Sequence, residues 1–177
     1  MTITPDTKDW TWVLARRCPE CGYDARAVAA GDVAGRLRAC ASAWRDVLAR
    51  PDARDRPTPG VWSPLEYGCH VRDVCRLYLE RLDLMLTTDN PLYPNWDQDA
   101  TAVEQRYGEQ DPSVVASELV AAADALAGRF AGLSEDEWQR PGRRSDGARF
   151  TVDTFARYFL HDVEHHLHDI NCRESAF

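Results

Sequence analysis

Apolar positions recur at three- and four-residue steps in four separate stretches of the chain, and the segments between them are rich in proline, glycine and charge. From Asp32 to about Ala49, the residues Val33, Leu37, Cys40, Ala41, Trp44, Val47 and Leu48 mark one face of an amphipathic helix. Pro51, Pro57, Pro59 and Gly60 then break the pattern, because proline has no amide donor and clashes with the preceding turn. Ser63-Pro64-Leu65-Glu66 restarts it. Serine at the N-cap, proline at the first helical position and glutamate at the third satisfy orphan backbone donors, so a second helix is predicted from there to about Thr87. Asp111-Pro112 repeats the start signal for a third helix carrying Val115, Leu119, Ala122, Ala123, Leu126 and Phe130 and closed by Gly132. A fourth is predicted from near Thr151 to about Cys172, with Val152, Phe155, Phe159, Val163, Leu167 and Ile170 as its apolar stripe.

The remaining segments are predicted to connect these helices. Residues 88–110 show no sustained period and are too long for a simple turn, and connections of that kind often cover functional sites. Ser134 and Glu137 form a second capping box, enough for one turn around Trp138, and residues 140–149 read as a polar, basic loop. Nothing reads as a strand. Residues 1–30 form an irregular N-terminal arm with Trp10, Trp12 and Cys18-Pro19-Glu20-Cys21-Gly22, and residues 31–177 form the helical unit. The expected fold is an all-α four-helix bundle with long connections.

Composition narrows the function. A chain of 177 residues that is 44% hydrophobic has the size of one domain with a substantial core. A net charge of −8 argues against nucleic acid and anionic membrane as partners, since both require a basic face. The opening MTITPDTKDWTW lacks a basic start followed by an apolar run, and no apolar stretch is long enough to span a bilayer. A cytoplasmic protein acting on small molecules is therefore expected. The cysteines (Cys18, Cys21, Cys40, Cys69, Cys75 and Cys172) need no disulfides in a chain with this much core. Lys8 is the only lysine, and such arginine- and alanine-rich usage is that of GC-rich bacterial genomes.

The candidate chemistry lies in the last helix, which holds His161, His165, His166 and His168 out of five histidines in all. His161 and His165 stand one turn apart on one face, a spacing at which two imidazoles can converge on one cation. His70, about two turns into the second helix, is the remaining histidine. If the second and fourth helices face each other, the three imidazoles meet and leave coordination positions for water or substrate. Against this, His161 and His165 project nearly opposite the apolar stripe, with Tyr158 and Cys172, and histidines near a helix end also interact with its dipole. Asp162 and His166 form a competing pair nearer the stripe and rank second.

Two segments resemble a known family. Trp62-Ser63-Pro64-Leu65-Glu66-Tyr67-Gly68-Cys69-His70-Val71-Arg72-Asp73 resembles the W-S-x-x-E-x-x-x-H-x-x-D segment of DinB-like proteins, and His161-Asp162-x-x-His165-His166 resembles their H-x-x-x-H helix. The resemblance covers about residues 32–172 and implies a four-helix bundle with a long crossover. It also implies a divalent metal (Zn, Ni, Fe or Mn) held, position by position, by His70, His161 and His165. Several members resemble thiol-dependent metalloenzymes, among them mycothiol- and bacillithiol-dependent S-transferases and a mycothiol-dependent maleylpyruvate isomerase. For this chain the resemblance implies a thiol co-substrate such as mycothiol and a small electrophile. Tyr158 or Asp73 would then position a proton, and Arg72, Arg157 or Arg143 would hold carboxylates. A metal-dependent hydrolase and a non-catalytic, stress-related metal-binding bundle are the alternatives, and the aromatic arm is compatible with a homodimer.

Cys18-Pro19-Glu20-Cys21-Gly22 falls outside this pattern. It resembles half of a zinc knuckle, in which two thiolates grip a tetrahedral metal. No second Cys-x-x-Cys exists, so a complete site would have to recruit distant cysteine or histidine. A redox pair is a further reading, and the preferred one is a pair of packed thiols that anchor the arm. Cys40, Cys69 and Cys75 are expected in the core.

Overall fold

A computed structural model describes residues 9–174, with side chains described to residue 171, so that the side chain of Cys172 lies outside the described part. Four long helices, α1 (Val33–Leu48), α2 (Pro64–Thr87), α4 (Pro112–Ala131) and α6 (Val152–Glu174), form the bundle. Two short helices, α3 (Gln98–Glu104) and α5 (Glu135–Trp138), lie in the connections. The start signals act as their chemistry requires. Ser63 and Glu66 cap α2 reciprocally, Ser134 and Glu137 do the same for α5, and the Asp111 carboxylate accepts from the amides of Ser113 and Val114 at the start of α4. Thr151 and Thr154 exchange side-chain and backbone hydrogen bonds of 2.9 and 3.2 Å at the entrance to α6.

The order around the bundle differs from the order along the chain. Both α1 and α2 pack against α4 and α6, which places α4 and α6 across the bundle from each other. The chain must therefore cross the bundle end between α4 and α6, and the long connection 132–151 makes this possible. Trp44, Phe130, Phe155, Phe159, Leu37 and Leu65 fill the centre, where truncating one large aromatic costs roughly 3–5 kcal/mol. Cys40, Cys69 and Cys75 belong to the same core.

Two segments predicted as loops contain strands. β1 (Leu92–Tyr93) pairs in parallel with β2 (Pro141–Arg144), which pairs antiparallel with β3 (Arg149–Thr151). The β2–β3 hairpin turns at Asp146-Gly147, with Gly147 at φ +99°, a backbone conformation that glycine adopts without strain. A side chain at Gly142 would meet Met85 at 2.8 Å, so β2 lies directly on α2.

The arm is part of the same packing unit. Cys18, Tyr23, Ala25 and Val28 are buried in the common core. The Tyr23 hydroxyl donates to the Arg157 carbonyl at 2.6 Å, and Arg157 Nη1 donates to the Ala25 carbonyl at 3.1 Å, so the arm is tied along α6. Among the described residues, no helix is long and apolar enough to cross a membrane.

Candidate metal centre

Successive residues of a helix point about 100° apart, so the interleaved pairs His161/His165 and Asp162/His166 present two faces of α6. His70 of α2 meets the second pair. Its Nε2 lies 3.4 Å from Asp162 Oδ2, and Asp162 Oδ1 lies 3.4 Å from His166 Nε2. The His70 and His166 rings stand edge-on at 4.9 Å. One ligand-type atom from each of the three residues falls within 4.8 Å of the others. His70 is 1% exposed, and neither of its ring nitrogens has a hydrogen-bond partner among the described residues. Buried polar atoms without partners are costly, and a cation bound to these atoms would remove that cost. Behind His166, Asp169 Oδ2 approaches Nδ1 at 3.5 Å, as a carboxylate does when it orients a metal-binding imidazole. The donor set of two imidazoles and one carboxylate therefore fits a divalent cation.

The electrostatics agree with the geometry. Burial pushes the His70 imidazole down from its ordinary value despite the nearby Asp162 carboxylate. Burial would raise Asp162, but the His166 and His70 imidazoles, each 3.4 Å away, hold it well below the usual carboxylate range. For His166 burial acts downward and is outweighed by Asp162 and Asp169, which raise it to about 9. Asp162 is thus a permanent anion between two imidazoles.

These residues border an open cleft of about 1390 Å³. Trp96 stacks on the His70 ring at 5.4 Å and 15°, and Trp62 packs against the same ring at 5.4 Å. Two arginines line the cleft. Arg81 is buried and donates to the Pro94 carbonyl at 2.7 Å. Arg144, carried in by the hairpin, pairs with Asp146 at 2.9 Å, and its Nη1 lies 3.5 Å from the Tyr158 hydroxyl. Burial raises the Tyr158 phenol against the opposing effect of Arg144, so it is protonated at neutral pH.

The residues singled out from the sequence are distributed differently from the expectation. His70 meets Asp162 and His166 rather than His161 and His165, which group with Cys18 and Cys21 on the other face of α6. The pair ranked second is the one that faces α2. Tyr158 lines the cleft, and His161 and His165 border it as well. Asp73 and Arg72 do not: Arg72 is buried against Asp73, Gln110 and Glu118, and Asp73 also accepts from the Tyr107 hydroxyl at 2.7 Å. Arg157 is held by Asp153 and Ala25, and Arg143 donates to the Asn90 carbonyl. Sequence reasoning missed Arg81, Arg144 and Trp96 as cleft residues. Arg81 had a usable signal, since it stands three helical turns beyond His70 on the same face of α2. Arg144 and Trp96 lie in connections whose placement depends on the sheet.

The sequence model of the DinB superfamily matches residues 47–170. The chain belongs to the DinB superfamily. The matched segment includes His70, Asp162 and His166 and begins after Cys18 and Cys21. Among solved structures, this DinB chain is similar to YfiT from Bacillus subtilis, described as a probable metal-dependent hydrolase with an unusual four-helix bundle topology. The two share 15% identity with a TM-score of 0.71, over 98% of this chain and 94% of the other, a likeness of fold. Comparison with curated proteins found no match.

Proposed function

We propose that this DinB protein is a metal-dependent enzyme that brings a low-molecular-weight thiol of the mycothiol kind together with a small anionic electrophile, for S-transfer or isomerisation. The reading rests on the convergence of His70, Asp162 and His166, with unpartnered buried imidazole nitrogens, at the wall of a cleft of about 1390 Å³. That volume exceeds the roughly 300–1,000 Å³ of a typical single-ligand pocket and leaves room for a bulky co-substrate beside the electrophile. A divalent cation bound by these three side chains would lower the pKa of a coordinated thiol or water and so supply a nucleophile at neutral pH. Arg81 and Arg144 provide fixed positive charge for carboxylates of either substrate. Trp62 and Trp96 shield the His70 imidazole from solvent, and the protonated Tyr158 hydroxyl beside Arg144 can donate to a developing anion. A cytoplasmic setting, where such thiols stay reduced, suits this reading.

The likeness to YfiT, a probable metal-dependent hydrolase, favours a second reading, in which water takes the place of the thiol and the same residues support hydrolysis. The two separate in one assay. Metal-loaded protein is incubated with a panel of carboxylate-bearing electrophiles and with ester and amide substrates, with and without mycothiol. Consumption of electrophile only when thiol is present supports thiol transfer or isomerisation. Thiol-independent cleavage moves the assignment to a hydrolase, and no turnover under either condition removes the catalytic reading.

A further inference from the structure

On the other face of α6, Cys18 and Cys21 of the arm meet His161 and His165, and one donor atom from each of the four lies within 4.8 Å of all the others. We propose that these four side chains hold a second metal ion, a tetrahedral zinc that pins the N-terminal arm to α6. The inference does not depend on the function proposed above, and the two cysteines lie upstream of the segment matched to the family.

Four observations carry it. The first is the donor geometry. Zn–S bonds of about 2.3 Å and Zn–N bonds of about 2.0–2.1 Å set donors roughly 3.3–3.8 Å apart around a tetrahedron, and Cys18 Sγ lies 3.8 Å from His165 Nδ1. The second is the loop that presents the sulfurs. The Gly22 amide donates to the Cys18 carbonyl at 3.0 Å and the Cys18 amide to the Tyr23 carbonyl at 2.8 Å, folding the chain back so that both thiols emerge on one side. Gly22 at φ +77° makes that reversal without strain.

The third is the environment of the imidazoles. While His165 Nδ1 faces Cys18, its Nε2 lies 3.4 Å from Glu20 Oε2 and 3.6 Å from Asp169 Oδ1, the carboxylate support typical of a metal-bound histidine. His161 is 3% exposed, and its Nε2 has no hydrogen-bond partner among the described residues. The fourth is completeness: two sulfurs and two nitrogens fill a tetrahedral shell and leave no position for substrate, which marks the site as structural. A redox dithiol would require neither imidazole.

Cobalt substitution tests the assignment in the intact chain, prepared without a histidine tag. The wild-type protein loaded with Co²⁺ is expected to show an intense near-ultraviolet thiolate-to-cobalt charge-transfer band and the visible spectrum of a tetrahedral ion. The band should persist in His70→Ala, disappear in Cys18→Ser and weaken by about half in Cys21→His, which keeps four donors and guards against simple misfolding. Zinc content should fall from two equivalents in the wild type to one in either Cys18→Ser or His70→Ala. A wild type with one equivalent that Cys18→Ser abolishes would support this site and overturn metal binding at His70. Absence of the charge-transfer band in the wild type, or zinc content unchanged by Cys18→Ser, overturns the inference.

Discussion

His161 and Asp162 are neighbours in sequence, yet each belongs to a different donor cluster. The face of α6 that carries Asp162 and His166 turns toward α2 and an open cleft, and adds one imidazole, that of His70. The face that carries His161 and His165 borders the same cleft but turns toward the arm and adds two thiols. Three donors beside open space leave room for substrate, whereas four donors of a Cys2His2 set fill their shell. Asp169 links the two, with one carboxylate oxygen behind His165 and the other behind His166. A rotation of one residue along a helix thus separates a centre suited to reactivity from one suited to holding the chain together.

The largest effect that would sharpen this contrast is in catalysis. His166→Ala should lower turnover about a thousandfold, the loss expected when several kcal/mol of transition-state stabilisation disappear, while the cobalt–thiolate band of the arm cluster persists. Steady-state rates and cobalt spectra on one preparation measure both, and a comparable loss of turnover in Cys18→Ser would erase the division of roles. For the arm cluster the expected effect is on stability. An ion present at a thousandfold over its dissociation constant contributes about 4 kcal/mol, so Cys18→Ser should lower the melting temperature by roughly 10 °C. An unchanged melt would show that the arm does not depend on the site.

A smaller effect tests the link between the clusters. Asp169→Asn should weaken metal binding about 10- to 100-fold at both centres, measured by competition with a chelator of known affinity. Weakening at one centre alone would show that Asp169 supports only that centre. The smallest effect belongs to the cleft. Arg144→Gln should raise KM for a carboxylate substrate about tenfold, in keeping with about 1.5–3 kcal/mol for a hydrogen bond to a charged group, with metal content unchanged at both centres. An unchanged KM would remove Arg144 from substrate binding.

The bundle was legible because its signals are local. Ser63-Pro64-Leu65-Glu66 and Asp111-Pro112 cap and start their helices through groups within three residues of each other, and the apolar period of each helix needs no partner to be seen. The sheet was not legible, because β1 pairs with a strand some fifty residues later and neither strand alternates over enough positions to show a period of two. Asp146-Gly147 was the one local sign of the hairpin.

The site was legible in its residue types but not in its grouping. The apolar stripe of α6 marks one buried face, and His161 and His165 stand nearly opposite it, which would leave them in water. In the folded chain the arm covers that side: Trp10 lies 5.4 and 5.2 Å from the two rings, Tyr23 lies 5.4 Å from His161, and both histidines are buried.

By itself, the sequence determined four helices, their start points, and a concentration of histidine and carboxylate on the last of them, because capping, proline placement and helical period are properties of neighbouring residues. Only the tertiary structure decided that His70 joins Asp162 and His166, and that Cys18 and Cys21 join His161 and His165. Those groupings depend on which helix crosses the bundle and on where an irregular arm comes to rest, and no periodicity along the chain encodes either.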